Sequence, residues 1–249
     1  MLDGKTLSWI HLPSVDSTVY WVKQNAKSLP ENSLTIVYTD EQTAGIGQHG
    51  RKWTSFPGVG LYTTWFFRLN KSFSYLPNLG QLLAISCIEI LQNLGFRPQI
   101  KWPNDLLLNE KKFGGVLVET LDFDNEWGIS ISIGVNVNTT REQLETLDIA
   151  ATSLFEESTT QWKIDELLFQ LVERFLANLQ LLQEAGFALF AKKIQSVLAF
   201  MDTEVLFSDG KRSFVAICKG IDNLGRLELQ HGNGHIDHVY AGTIKKVVS

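Results

Sequence analysis

Two stretches of this chain carry residues that simple packing does not call for. The first, Thr43 to Trp53, reads TAGIGQHGRKW and sets Gly45, Gly47 and Gly50 in the spacing G-x-G-x-x-G, with Arg51, Lys52 and Trp53 behind them. Glycines so spaced let backbone N–H groups close round an anion, adjacent cations neutralise it, and a tryptophan offers an apolar face beside it. The second, Ile100 to Glu119, reads IKWPNDLLLNEKKFGGVLVE; it gathers Lys101, Asn104 and Asp105 about Pro103 and puts Lys112 just ahead of Gly114-Gly115 in a hydrophobic strand. Paired glycines in a strand often mark close approach by a ligand or another backbone. Taken singly, the first stretch also reads as a flexible surface loop and Asn104-Asp105 as a solvated turn. The adjacent cations, Trp53 and the glycines beside Lys112 favour an anionic ligand with an apolar or ring portion.

Three familiar uses of a glycine loop fail on context. A dinucleotide fingerprint needs a helix after its glycines, whereas RKWTSFPGVG follows here, and Pro57, Gly58 and Gly60 forbid a helix of useful length. A P-loop needs Lys-Ser or Lys-Thr after the last glycine; Gly50 is followed by Arg51, Lys52 and Trp53. No His-Arg-Asp or Asp-Phe-Gly follows to suggest a protein kinase.

The elements that position these stretches are legible from periodicity. Ser8 to Leu12 reads as a strand, DSTVYWVKQNA from Asp16 as a helix with capping side chains at its start, and Leu34 to Asp40 and Gly60 to Leu69 as strands flanking the glycine loop. Leu79 to Leu94 has the spacing of a buried helix stopped by Gly95, QIKWP makes a strand ending at Pro103, and LLLN and FGGVLVETL form two arms about a turn at Glu110 to Lys112. GISISIGVNVN is a further strand. From Ile164, Leu167, Leu168, Leu171, Val172, Phe175, Leu176, Leu179 and Leu182 fall on one face of a long helix, followed by another from Phe187 to about Val197. After Met201 only short strands and turns remain. The reading is an α+β domain to which a tail of about 50 residues, resembling a small β-barrel, is appended.

Composition narrows the function classes. Among 249 residues the net charge is -5, which argues against a surface that tracks nucleic acid. No stretch approaches the roughly 18 apolar residues of a membrane span, and the N-terminus lacks a signal peptide's apolar core, so a cytoplasmic location is expected. Cys87 and Cys218 have no partner at metal-ligand spacing and read as buried thiols. His231, His235 and His238 surround a Gly-Asn-Gly turn, and the last two point to opposite faces of a strand, so no zinc site is expected.

With these residues in view the chain resembles the biotin protein ligases, which attach biotin to a lysine of biotin-dependent carboxylases. The resemblance runs through DSTVYWVK, EQTAGIGQHGRKW, KWPNDLLL, KFGGVLVE and IGVNVN, in the family's order and approximate spacing. The fold the resemblance implies is α+β: the ligase catalytic fold, a mixed sheet flanked by helices over residues 1–199, with an SH3-like C-terminal barrel over residues 200–249. Because the chain starts at the catalytic domain, a ligase without the DNA-binding repressor domain of many relatives is expected. Lipoate ligase, a sister activity, and a non-catalytic biotin-binding or carrier-docking module stay open as alternatives.

The implied reaction joins biotin to ATP as biotinyl-5'-AMP, releases pyrophosphate, and passes biotin to a lysine of a carrier, usually the biotin carboxyl carrier protein of acetyl-CoA carboxylase. Bringing a carboxylate onto a polyphosphate sets like charges about 4 Å apart, a repulsion of ~4 kcal/mol at an effective dielectric of 20. Lys112, Arg51, Lys101 and a Mg²⁺ ion are the expected neutralisers, Lys112 above all. Ser17, Thr18 and Gln42 are expected at the ureido group, with Gly45, Gly47, Trp53, Gly115 and Leu117 about the rest of biotin. Gln48, Gly50, Arg51, Asn104, Lys112 and Asn136 fall to the adenylate, and Asp105 to the metal or the incoming amine as general base. Where the family commonly has Ser-Thr-Asn and Gly-Arg-Gly-Arg, this chain has Ser17-Thr18-Val19 and Gly45-Ile46-Gly47-Gln48. Two loop arginines are absent, so the adenylate is expected to be held less tightly. A homodimer is among the forms the resemblance allows.

Overall fold

The computed structural model describes residues 6–247. In chain order its first elements are β1 (Thr6–Leu12), α1 (Thr18–Asn25), β2 (Ser33–Thr39), β3 (Gly60–Asn70), α2 (Leu79–Asn93), β4 (Gln99–Lys101), β5 (Asp105–Leu108), β6 (Lys111–Phe123) and β7 (Glu126–Asn136). There follow α3 (Arg141–Leu144), α4 (Leu154–Ser158), α5 (Ile164–Ala185), α6 (Ala188–Ser196) and the short strands β8 (Glu204–Ser208), β9 (Ser213–Ile221), β10 (Leu227–Gln230), β11 (Ile236–Val239) and β12 (Thr243–Lys246). Two compact units result: Met1–Gly80 with Lys111–Val172, and Gln81–Glu110 with Glu173–Ser249.

In the first unit the strands run in the order β1-β2-β3-β7-β6. β1 and β2 are parallel, as a helical crossover requires, and the other neighbours are antiparallel. β3 is buried along nearly its whole length because its sequence, GLYTTWFFRL, offers no clear polar face: Trp65, Phe66 and Phe67 are all at most 1% exposed. α1 lies across β2, β3 and β7. Its Val22, with Ala26 just past its end, packs with Leu29, Val37 and Phe66.

The second unit is held by buried polar ties as well as apolar packing. Asn178 on α5 donates to Ser86 and Glu89 of α2 at 2.9 Å each, and Glu89 also receives Lys193 at 2.5 Å. The strands after residue 203 form their own antiparallel sheet, β11-β10-β9-β8-β12. Its tie to the helices is direct, since Gln81 of α2 donates 2.7 Å to the carbonyl of Gly225. Among the described residues the expected barrel is not closed. β11 and β12 remain edges, each only four residues long, and ladders that short run out before the stagger needed for closure is reached.

Other boundaries moved for local reasons. β4 stops at Lys101 rather than Pro103, because proline has no N–H to give a ladder. The turn expected at Glu110 to Lys112 is at Asn109-Glu110, both at positive φ (48° and 63°), as a two-residue hairpin turn demands. Lys112 therefore belongs to β6. α3 and α4 have four and five residues, too few for any period to announce them. Cys87 and Cys218 are both buried, and burial pushes their thiols up to about 12 and about 11. No helix among the described residues is long and apolar enough to cross a membrane.

Candidate active site

The glycine loop is a small hairpin. Ile46 bridges Lys52, Gly47 N–H donates to Arg51 at 2.7 Å, and Trp53 N–H donates to Gly45 at 2.8 Å. His49 and Gly50 take positive φ at its tip, 56° and 71°. The glycines are not equivalent. A Cβ on Gly45 would stand 2.5 Å from the carbonyl oxygen of Trp53, so the hairpin closes only around glycine, whereas at Gly47 the nearest atom would be an ordinary 3.6 Å away. Arg51 is exposed, while Gln48 is half-buried. The far end of the loop is pinned by Tyr62, whose hydroxyl accepts from Phe56 N–H at 3.0 Å and donates to the Phe56 carbonyl at 3.3 Å. Burial pushes that phenol up to about 12, which keeps its proton in place.

This hairpin lays Trp53 flat on the sheet. Strand register puts Tyr62, Gly134 and Gly115 in one row across β3, β7 and β6, and Thr64, Ser132 and Leu117 in the next row of the same face. A Cβ at Gly134 would come within 2.6 Å of the Trp53 indole, and one at Gly115 within 3.5 Å of it and 3.4 Å of Lys112 Nζ. The two missing side chains thus leave the slot the indole fills. Lys112 Nζ stands 5.6 Å from the indole centroid, in cation–π range. The Trp53 N–H is buried with no hydrogen-bond partner among the described residues.

The row beyond the indole is polar. Thr18, at the start of α1, gives both its backbone N–H and its hydroxyl to Gln42 Oε1, at 2.9 and 3.1 Å. Thr64 donates to the Thr18 hydroxyl at 2.8 Å and meets Ser132 at 2.9 Å. Gln42 Nε2 reaches Ser55 at 3.4 Å. Ser17, at 0% exposure, has a side-chain hydroxyl with no partner among the described residues. A buried hydroxyl left unpaired costs about 1–3 kcal/mol, so a ligand that pairs with it recovers that amount on binding.

The first unit therefore brings together Ser17, Thr18 and Gln42 at one end, and Trp53, Gly45, Gly115 and Lys112 further along. Leu117 shares the floor with Ser132. Asn136 continues β7 past Gly134, and its amide donates 3.0 Å to the Thr152 carbonyl, tying down the segment that also pairs with the backbone of Lys112. Lys101, Asn104 and Asp105 lie in the second unit, where the β4–β5 turn pairs Lys101 Nζ with Asp105 Oδ2 at 2.9 Å, both partly buried.

Thr64, Ser132, Ser55 and Tyr62 were not expected here. The available signal was two polar residues, Thr64 and Ser132, in strands whose neighbours are apolar. Among the described residues no three His, Cys, Asp or Glu side chains converge to hold a metal, and Asp105 is already paired with Lys101. These residues do not form a protein-side cage for Mg²⁺, which binds nucleotide phosphates with few protein ligands, and no step below is routed through it. In the second unit His231 and His235 both turn to Asp237, at 3.3 and 3.2 Å, while His238 faces Asp222 at 3.4 Å.

Comparison with known proteins places this geometry. Residues 11–138 match the model of the biotin/lipoate A/B protein ligase family. The structure superposes on the biotin protein ligase from Aquifex aeolicus in complex with biotin and ATP with a TM-score of 0.83 and 31% identity, over 97% of this chain and 99% of that one. The bifunctional ligase/repressor BirA of Escherichia coli is 29% identical over 231 residues, covering 92% of this chain and 70% of its own. The biotin--[acetyl-CoA-carboxylase] ligase of Mycobacterium tuberculosis is 26% identical over 222 residues, 84% of this chain and 77% of that protein. With the family model spanning the strands and loop that build the pocket, the chain belongs to the biotin/lipoate A/B protein ligase family.

Proposed function

We propose that the protein is an ATP-dependent biotin protein ligase. The observation that carries this reading is the pocket itself: an indole floor made possible by Gly115 and Gly134, a buried unpaired Ser17 hydroxyl at one end, and the Lys112 ammonium over the indole. Biotin has the matching layout, with a polar ureido ring at one end, an apolar body, and a carboxylate at the other.

In the first step a biotin carboxylate oxygen bonds to the α-phosphorus of ATP and the bond to pyrophosphate breaks. Lys112 offsets the charge that accumulates where the two anions meet, and Arg51, with the loop's backbone N–H groups, holds the phosphates. In the second step the amine of a carrier lysine attacks the acyl carbon and AMP leaves. That amine, ordinarily near pKa ~10.4, must lose a proton first, and Asp105 is assigned as its acceptor. For Lys101, Asn104 and Asp105 the support is the resemblance of KWPND to the family. The biotin carboxyl carrier protein of acetyl-CoA carboxylase is the proposed acceptor, and residues 200–249 are proposed as the family's C-terminal domain.

Exchange of labelled pyrophosphate into ATP tests the reading. Exchange that depends on biotin and not on lipoate is the expected result. Exchange driven by lipoate would move the protein to the sister activity, and biotin binding without exchange would make it a binding module.

The loop makes a second forecast. Gln48 stands where the resemblance to the family implies arginine, and its carbonyl accepts the backbone N–H of the exposed Arg51 at 3.2 Å. Gln48→Arg should slow escape of biotinyl-5'-AMP by about 5- to 30-fold, the range expected for a charge-assisted contact of about 1–2 kcal/mol at a partly exposed site. Release of labelled adenylate in a filter assay measures it, and an unchanged rate would show that side-chain charge at this position does not retain the intermediate.

A further inference from the structure

We infer that Thr64 and Ser132 are positioning residues that fix the direction of a hydrogen-bond chain and thereby set the polarity of the pocket's ureido end, an inference that rests on the biotin ligase reading. The direction follows from proton counting. The atom of Gln42 that faces Thr18 receives a backbone N–H at 2.9 Å, so it is the amide oxygen. The Thr18 hydroxyl, 3.1 Å from the same oxygen, has one proton and spends it there. Towards Thr64 it can only accept, so the 2.8 Å contact uses the Thr64 proton. Thr64 in turn can only accept from Ser132 at 2.9 Å. The chain runs one way, Ser132 to Thr64 to Thr18 to Gln42 Oε1.

Its consequence is felt at the other face of Gln42. With Oε1 committed twice, the amide NH₂ is turned towards Gly45 and Ser55, 3.0 Å from where a Gly45 Cβ would stand and 3.4 Å from Ser55 Oγ. Gln42 thus keeps its NH₂ as a donor, and Ser17, next to Thr18 in the chain, has a buried hydroxyl without a partner among the described residues, a pair suited to a carbonyl oxygen such as that of a urea. Thr18, Thr64 and Ser132 are 2%, 0% and 8% exposed, so no water competes to supply the missing protons. Neither Thr64 nor Ser132 is assigned to touch the ligand. Both act through Thr18 and Gln42.

The test separates positioning from folding. The ureido end is remote from the reacting carboxylate, so loss of this orientation should raise KM for biotin and spare kcat. Thr64→Val keeps the shape and removes the hydroxyl: in biotin-dependent pyrophosphate exchange KM for biotin should rise about tenfold, with kcat and KM for ATP within twofold of wild type. Thr64→Ser should restore KM to within threefold. Ser132→Ala, which removes only the terminal donor, should raise KM about threefold, and it carries the test by itself if Thr64→Val does not fold. An unchanged KM in the variants that fold, a fall in kcat alone, or a Thr64→Ser variant as impaired as Thr64→Val would each overturn the inference. Absence of biotin-dependent exchange in the wild-type protein would instead remove the ligase reading on which it rests.

Discussion

Lys112→Met should lower kcat/KM for biotin-dependent pyrophosphate exchange about 10³-fold while leaving the fold intact. The size follows from what the ammonium must offset. Removing one preorganised donor or charge at a developing anion costs on the order of 10² to 10³ in rate, about 3–4 kcal/mol at 1.36 kcal/mol per decade. Methionine keeps the unbranched apolar stem, which here lies 3.4 Å from the position of a Gly115 Cβ, so packing over the indole is largely retained. Lys112 is half-buried in β6, and its backbone pairs with Ala150 and Thr152 whatever its side chain. The melting temperature should therefore hold within a few degrees. Lys112→Arg should recover only part of the activity, because a planar guanidinium does not replace a compact point charge in a slot shaped by glycine. An exchange rate within threefold of wild type in Lys112→Met would remove Lys112 from the chemistry.

Gly134→Ala is the second large effect, and it acts through space alone. The new Cβ would lie 2.6 and 2.7 Å from Cε2 and Cζ2 of Trp53 and 3.0 Å from its Nε1. Carbon atoms rest at about 3.5–4.0 Å, so the indole must move by roughly 1 Å. It has little freedom to do so, since Trp53 is bound through its backbone to Gly45 at 2.8 Å, and Gly45 has backbone against the space its own Cβ would need. Overpacking of this kind costs about 1–3 kcal/mol. A protein of this size then melts several degrees lower, at about 2–4 °C per kcal/mol, and biotin should bind about 10- to 100-fold more weakly as the floor tilts. Gly115→Ala is the informative contrast. Its Cβ would meet Lys112 and Trp53 at 3.4 to 3.5 Å, an ordinary contact, so its melting temperature should stay near wild type while biotin, which must lie against this strand, binds more weakly. Calorimetry of folding and of biotin binding on both variants measures the two effects. Equal melting temperatures for Gly134→Ala and wild type would mean that Trp53 does not rest on β7 in solution.

How far the site was legible depends on how each residue acts. Lys112, Gly115, Ser17, Thr18, Gln42 and Trp53 stand in short motifs whose residue types are odd for their elements, and the first unit does gather them. Thr64 and Ser132 carry no such signal, because a single hydroxyl in an apolar strand is ordinary in isolation. Their meaning appears only when register sets them side by side and α1 lays Thr18 above them. The sequence motif assigns Gly45 and Gly47 to biotin and Gly50 to the adenylate, but does not say what each glycine does for the loop itself. In the folded chain Gly45 is required by a backbone atom, Gly50 by its positive φ, and Gly47 by neither.

By itself the sequence determined the order and type of nearly every long element, because periodicity and breaking residues are local properties written in consecutive residues. It also determined the family, because a loop chemistry and a strand chemistry recur together in one order. Tertiary structure alone decided the rest: that the described residues of the tail form an open five-stranded sheet rather than a closed barrel, that Lys112 sits inside a strand, and that two absent side chains make room for an indole. Those outcomes depend on register, strand length and van der Waals contact between residues far apart in the chain, and no window of consecutive residues contains that information.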